Sequence, residues 1–238
     1  MSTDFRLLSY NVRSLRDDAQ AVATVIRACT PDIVCIQEAP RFFRWRAKCA
    51  ALARESGLFV ITGGRPAGAM MLLASLRVKV VATRNILLTK KPGLHQRGIA
   101  AATVEIDGLR FAVGSIHLDL DAAERVRHVD EILLRTSAFG VPTVLAGDIN
   151  EHPTDAAWKT LAAQFSDAYA VAPAGGEFTY SAMKPVRRID GVFVDPRIEV
   201  VGCGVPEVPE IERASDHRPV LAVLRLSSGM PLDDGTVV

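Results

Sequence analysis

Short apolar runs, each closed by glycine, proline or a polar residue, recur along this chain and predict many β-strands. The six clearest runs are rich in valine, isoleucine, leucine or phenylalanine and predict strands at 5–12, 32–37, 110–118, 142–147, 190–194 and 219–226. Weaker runs predict further strands at 58–63, 69–75, 78–88 and 98–106. Because no helical pattern separates the weaker runs, we expect several consecutive strands in the middle of the chain.

Helical patterns lie between only some of these strands, at 17–29, 43–56, 122–137 and 154–165. The first begins with acidic residues and stops before Pro31, and the second ends at Gly57, as helices commonly do. This arrangement favours an α/β sandwich with mixed or antiparallel sheets over a strictly alternating parallel sheet. We expect one domain over residues 1–228 and a frayed tail at 229–238.

Composition narrows the class of protein. Apolar residues make up 49% of the chain, enough for a sizeable core, and the net charge of +1 is not that of a generally basic nucleic-acid-binding protein. The four cysteines form no CxxC pair, which favours reduced thiols over a zinc or disulfide framework. The first residues lack the features of a signal peptide, and no apolar run reaches membrane-spanning length. We therefore expect a cytoplasmic protein, and a monomer.

Polar residues stand directly beside strand ends, and they carry the candidate chemistry. They are Asn11, Glu38, His117, Asp148, Asn150, Asp190, Asp216 and His217. The last three precede their strands and the others follow theirs. If the last two strands run opposite to the others, all of these side chains collect at a single sheet edge. Most of them, taken singly, also suit a turn, a salt bridge or a satisfied core position.

A cluster of four carboxylates would repel itself unless a cation or a proton neutralised it. Oxygen ligands without cysteine favour Mg²⁺, Mn²⁺ or Ca²⁺ over structural zinc. Magnesium commonly completes its shell with water and substrate phosphate, so the pattern favours phosphoester hydrolysis. In such a reaction a carboxylate activates water, and an imidazolium stabilises charge or protonates the leaving group.

Six segments resemble one known family in both content and order. They are LLSYNVRSL (7–15), DIVCIQEA (32–39), GSIHLDL (114–120), VLAGDINEHP (144–153), RRIDGVFV (187–194) and SDHRPV (215–220). The chain is similar to the endonuclease/exonuclease/phosphatase superfamily, which includes pancreatic-type deoxyribonucleases, abasic-site endonucleases, inositol polyphosphate phosphatases and bacterial sphingomyelinases. The resemblance implies a four-layer α/β sandwich, with two mixed, mainly antiparallel β-sheets flanked by helices and the site at one edge.

The resemblance also implies a metal site that binds Mg²⁺ or Mn²⁺. Glu38 matches the main metal ligand of the family, and Asn11 matches the residue beside it that contacts metal or phosphate. Asp216 resembles a further carboxylate of the metal site.

Five further residues match the family's catalytic positions. Asp148 resembles the residue that activates or orients the attacking water, helped by Asn150. His217 resembles the histidine that contacts the scissile phosphate, and Asp190 the acid that orients a histidine. His117 matches a second histidine, a candidate general acid or transition-state donor. Abasic-site endonucleases often carry tyrosine there, which favours other branches.

The substrate is less constrained by the sequence. The segment 41–48, RFFRWRAK, suits nucleic acid, an anionic lipid surface, or an amphipathic helix with solvated arginines. We take Trp45, Arg97 and Arg188 as candidate substrate contacts. The favoured hypothesis is a metal-dependent, nuclease-like phosphodiesterase. The alternatives are a hydrolase of phosphomonoesters or phospholipid headgroups, and a catalytically silent binding protein on the same fold.

Overall fold

The computed structural model describes residues 2–228, which form twelve β-strands and six α-helices. The strands are β1 (Ser2–Asn11), β2 (Ile33–Gln37), β3 (Phe59–Gly64), β4 (Met70–Ala74), β5 (Lys79–Leu87), β6 (Gly98–Ile106), β7 (Leu109–His117), β8 (Thr143–Asp148), β9 (Ser166–Asp167), β10 (Asp190–Val194), β11 (Glu199–Gly204) and β12 (Val220–Ser227). The helices are α1 (Ala19–Cys29), α2 (Trp45–Glu55), α3 (Ala122–Ser137), α4 (Ala156–Ala162), α5 (Ala168–Val171) and α6 (Ile211–Ala214). The predicted tail at 229–238 lies outside the described residues.

The strands pair into two six-stranded sheets. The first has the order β11–β12–β1–β2–β4–β3, and the second has the order β5–β6–β7–β8–β10–β9. Each sheet contains one parallel pair, β1–β2 in the first and β7–β8 in the second, and its other pairs are antiparallel. The prediction of mixed, mainly antiparallel sheets is confirmed.

Strand periodicity explains the four layers. Successive side chains of a strand face opposite sides of its sheet. Leu7 therefore packs between the two sheets, while Leu8 packs beneath α1 and α2 on the outer face of the first. On the outer face of the second sheet, α3 and α4 cover a separate apolar cluster that includes Trp158. Because central strands are buried on both faces, they are continuous apolar runs in the sequence.

The predicted helices form close to their expected bounds. Helix α1 begins after Asp18, whose side chain accepts a hydrogen bond from the Ala21 amide, and it ends at Thr30 in the left-handed conformation. Helix α2 begins at Trp45, two residues later than predicted. The sequence did not predict the short elements β9, α5 and α6, or the edge strand β11. Within residues 2–228 no helix has both the length and the apolar composition needed to cross a membrane.

Candidate active site

The candidate site lies where strand ends from both sheets face each other. Strands β10 and β12 run antiparallel to β8 and β1, so their beginnings lie beside the ends of those neighbours. In strand order, the side chains at this end are His217, Asn11 and Glu38 in the first sheet, and Asp190, Asp148, His117 and Arg97 in the second. The expectation of a single sheet edge is wrong, because the two sheets of the sandwich both contribute to the site.

Hydrogen bonds across the sandwich fix this alignment. Asn11 Nδ2 donates to Oδ2 of Asp148 over 3.0 Å and lies 3.4 Å from Oε1 of Glu38. Nearby, Gln37 Nε2 donates to Ser115 Oγ over 3.0 Å, and Ser115 Oγ donates to the Ile36 carbonyl over 2.8 Å. A buried polar group left without its partner costs about 1–3 kcal/mol, so these bonds favour one alignment of the sheets.

His217 and Asp190 form a buried pair. Nδ1 of His217 donates to Oδ2 of Asp190 over 2.9 Å, and Nε2 lies 3.6 Å from Oδ2 of Asp148. Burial alone would lower the pKa of His217, but the carboxylates of Asp190 and Asp148 outweigh it and raise the pKa to about 10. His217 is therefore an imidazolium at neutral pH, held in one orientation and able to face an anion.

Asp148 is buried and accepts hydrogen bonds at both carboxylate oxygens. Burial, and then repulsion from Asp190, raise the pKa of Asp148 above its ordinary value. Its Oδ1 accepts from the backbone N–H of Asn150 over 3.0 Å. Asn150 adopts a left-handed φ of 56°, a conformation that asparagine tolerates better than most residues. A carboxylate with a raised pKa is suited to accept a proton near neutral pH.

His117 lies on the other side of Asp148. Burial, and then the charge of Arg97, lower the pKa of His117 well below its ordinary value, so the ring is neutral. Asn150 Nδ2 donates both to the Leu118 carbonyl and toward Nε2 of His117, each over 3.1 Å. Nε2 of His117 also lies 3.3 Å from Oδ2 of Asp148. A buried, neutral ring in contact with both Asn150 and Asp148 suits a positioning role better than that of a general acid.

Two carboxylates face the open space beside these groups. Glu38 is only half-buried, and its φ of 53° turns the chain sharply at the end of β2. Asp216 is also half-buried, and one oxygen lies 3.4 Å from Nε of Arg13. The oxygen of Asn11 accepts from the Arg13 amide over 3.1 Å, so its amide nitrogen faces the carboxylates. Glu38 and Asp216 thus offer the hard oxygen donors that suit Mg²⁺ or Mn²⁺.

A second group of potential ligands is less suited to a metal. Asp148, Asp190 and His217 each present one ligand atom within 4.8 Å of the others. However, Nδ1 of His217 already donates to Asp190, and a protonated imidazole has no lone pair for a metal. We therefore describe this group as an imidazolium between two carboxylates.

Six of the site residues line an open cavity of about 670 Å³: Glu38, His117, Asp148, Asn150, Asp216 and His217. Five arginines also line it, together with His95: Arg16, Arg41, Arg97, Arg125 and Arg187. Arg97 is only 8% exposed, and its Nε has no hydrogen-bond partner within residues 2–228. Its nearest carboxylate is Asp119, at 3.6 Å. A buried guanidinium so placed is suited to bind an anion in the cavity.

The structure does not bring two of the predicted substrate contacts to the cavity. Arg188 is buried against Trp158 and binds both oxygens of Asp167 at 2.9 Å. Trp45 packs against Gly64, at the outer face of the first sheet. Arg188 directly follows the lining residue Arg187, and Trp45 lies three residues after the lining residue Phe42. Side chains alternate in direction along an extended segment, so Arg187 rather than Arg188 reaches the cavity.

Sequence reasoning also missed lining residues. Tyr180 packs its ring 4.9 Å from that of His217, and the guanidinium of Arg187 lies 4.5 Å from the centre of the Tyr180 ring. Phe42 lines the cavity on the side of Glu38. Phe42 belongs to the basic, aromatic segment noted in the sequence, whereas Tyr180 lies in a loop without any distinguishing pattern.

Comparison with known proteins identifies the family. The model of the Endonuclease/Exonuclease/phosphatase family matches residues 8–217 of this chain. No curated protein matches the sequence. Among solved structures, an endonuclease/exonuclease/phosphatase from Bacteroides vulgatus has 24% identity and a TM-score of 0.80, over 94% of this chain and 100% of its own.

Two further solved structures share the fold. A mannosyl-6-phosphatase from Bacteroides thetaiotaomicron has 18% identity and a TM-score of 0.79, over 92% of this chain and 99% of its own. D. rerio TDP2, complexed with single strand DNA product, has 18% identity and a TM-score of 0.72, over 93% of this chain and 99% of its own. At these identities the likeness establishes the fold alone.

Proposed function

Since the chain belongs to the endonuclease/exonuclease/phosphatase family, we propose that it is a divalent-metal-dependent phosphoesterase that hydrolyses a phosphodiester in the manner of a nuclease. The proposal includes one catalytic domain spanning residues 1–228. The observation that carries it is the buried His217–Asp190 pair beside Asp148, at the floor of a cavity with cationic walls. An imidazolium, a carboxylate with a raised pKa and free arginines form a set suited to a phosphate ester.

The metal-site proposal rests on the chemistry of the donors. Glu38 and Asp216 would hold Mg²⁺ or Mn²⁺, with water and substrate completing the shell. When bound, the ion would act as a Lewis acid that polarises a phosphoryl oxygen. Asn11 keeps Glu38 and Asp148 beside each other through its amide N–H groups, which offsets their repulsion.

The remaining residues have distinct roles in the proposed reaction. Asp148 accepts a proton from water as the new P–O bond forms, and the P–O bond to the leaving group breaks. The His217 imidazolium stabilises charge on the phosphate and can protonate the leaving oxygen, while Asp190 fixes its orientation. Asn150 and neutral His117 position Asp148.

The placement of the cations favours a diester. Arg41 and Arg97 lie toward the Glu38 side of the cavity, and Arg187 lies toward the His217 side. A diester extends to both sides of the reacting phosphorus, whereas a phosphomonoester needs cations on one side only. Hydrolysis of phosphomonoesters or lipid headgroups is the second candidate, since buried Arg97 would suit a terminal phosphate equally.

A substrate panel tests the proposed function. Single-stranded DNA, duplex DNA, RNA, sphingomyelin and inositol phosphates would each be incubated with Mg²⁺ or Mn²⁺, and with a chelator as control. We expect turnover of a nucleic acid that the chelator abolishes. Turnover of only inositol phosphates or sphingomyelin would select the second candidate. Absence of any turnover would favour the silent binding protein.

A further inference from the structure

Two arginine–aromatic pairs line the cavity on opposite sides of the catalytic groups. On one side the guanidinium of Arg41 lies 5.2 Å from the centre of the Phe42 ring, and on the other that of Arg187 lies 4.5 Å from the centre of Tyr180. The other arginine–aromatic contacts of residues 2–228 involve rings that do not line this cavity.

Strand order places the two pairs apart. Phe42 follows Glu38, at the end of β2, while Tyr180 bridges to His217 at the start of β12. Strand β1 lies between β2 and β12 in the sheet. Neighbouring strands are about 4.8 Å apart, so the strand ends beside the two pairs are roughly 10 Å apart, with Asn11 of β1 between them.

The side chains of both arginines are available to bind a ligand. Arg41 and Arg187 have no ion pair among the described residues, in contrast to Arg188, which Asp167 holds. Phe42 is 70% exposed, so one face of its ring is open to solvent beside the cavity. A free guanidinium beside an aromatic face combines a contact for a backbone phosphate with a platform on which a base can stack.

We propose that the cavity binds a single-stranded polynucleotide with one nucleotide on each side of the scissile phosphate, stacked at Arg41–Phe42 and at Arg187–Tyr180. This inference rests on the proposed phosphodiesterase function and adds the strandedness of the substrate and the two nucleotide positions. Duplex DNA is disfavoured because its base faces are covered by neighbouring bases.

Beyond Phe42 the same segment continues outward with one aromatic and three cationic side chains. Phe43 is 82% exposed, and Arg44, Arg46 and Lys48 are exposed at the start of α2. These cations raise the local positive charge that a strand leaving the cavity on this side would meet.

The test compares two phosphodiesters in one set of variants. One substrate is a short single-stranded oligonucleotide, and the other is methyl para-nitrophenyl phosphate, which has no base. We compare the kcat/KM for the oligonucleotide with that for the small diester. For Phe42→Ala we expect the ratio of the first to the second to fall about 5- to 150-fold, the range that stacking of one base accounts for. The matched control is Phe59→Ala, which truncates an exposed phenylalanine of β3 that does not line the cavity. It should keep the wild-type ratio.

Arg187 provides an independent readout through salt dependence. Arg187→Gln should reduce the slope of log affinity against log salt for the oligonucleotide by about one, whereas Arg187→Lys should keep the slope and still weaken binding. Equal affinity for the strand and its duplex, or an unchanged substrate ratio in Phe42→Ala, would overturn the inference. So would tighter binding to phosphatidylglycerol vesicles than to the strand. If the wild type hydrolysed neither the small diester nor the oligonucleotide, the result would instead contradict the proposed function.

Discussion

Replacing Asp190 with asparagine removes the charge that faces His217 while keeping the size of the side chain. In the wild type the pKa of His217 is raised from 6.5 to about 10, against the effect of burial. That difference corresponds to roughly 5 kcal/mol in favour of the imidazolium. Asp190 contributes the largest share of it and the only hydrogen bond to the ring among residues 2–228. We therefore expect D190N to lower the pKa of His217 to about 7 or below.

Nuclear magnetic resonance titration of the His217 ring, with chelator present, measures this change directly. The rate of phosphodiester hydrolysis at pH about 8 should be about 10²- to 10⁴-fold lower in D190N than in the wild type, because the His217 ring of the variant is mostly neutral at that pH. Asp195→Asn is the matched control, since Asp195 pairs with Arg197 outside the cavity lining. An unshifted His217 titration in D190N, whatever the activity, would show that Asp190 does not set the pKa of His217.

The same pair has a consequence for stability. A group whose pKa rises on folding stabilises the folded state fully below its unfolded pKa, here 6.5, and loses that contribution as pH rises toward about 10. Urea unfolding should accordingly show D190N less stable than the wild type by about 3–5 kcal/mol near pH 6, with the difference shrinking toward pH 10.

Three other changes test the structure elsewhere. Ser115→Ala should lower the free energy of unfolding by about 1–3 kcal/mol in urea titrations, because it removes one hydrogen bond from the buried Gln37 amide and one from the Ile36 carbonyl between the sheets. Burial lowers the pKa of His128, so the wild type should lose stability relative to His128→Gln as pH falls below 6.5, and a constant difference would contradict this. Arg188→Met should destabilise the fold by leaving Asp167 unpaired, whereas Arg187→Met should weaken catalysis with little change in the urea midpoint.

Much of the fold follows from local pattern. Strands β2 and β8 are buried on both faces, as is β1 over residues 7–11, and this makes them mainly apolar runs that the sequence displays plainly. The edge strand β11 is half exposed and interrupted at Gly202 by an irregular register, so its pattern is weak. The short helices α5 and α6, of four residues each, are held by their surroundings rather than by an apolar periodicity.

The candidate site likewise contains residues that the strand pattern predicted and residues that it did not. Asp148 and Asp190 stand beside strong strands, so strand ends alone suggested that they meet. Tyr180 reaches the cavity through a loop whose path depends on contacts distant in sequence, such as its bridge to His217. Which of the two side chains, Arg187 or Arg188, faces the cavity depends on how side chains alternate in an irregular segment. The sequence does not define that alternation.

The proposed metal-dependent hydrolysis is tested by the rate of phosphodiester cleavage by the wild type and by Asp148→Asn, each with Mg²⁺, with Mn²⁺ and with chelator. We expect hydrolysis by the wild type only with metal, and a loss of at least about 10²-fold in Asp148→Asn with either ion. Hydrolysis that persists in chelator, or an Asp148→Asn variant as active as the wild type, would contradict this expectation.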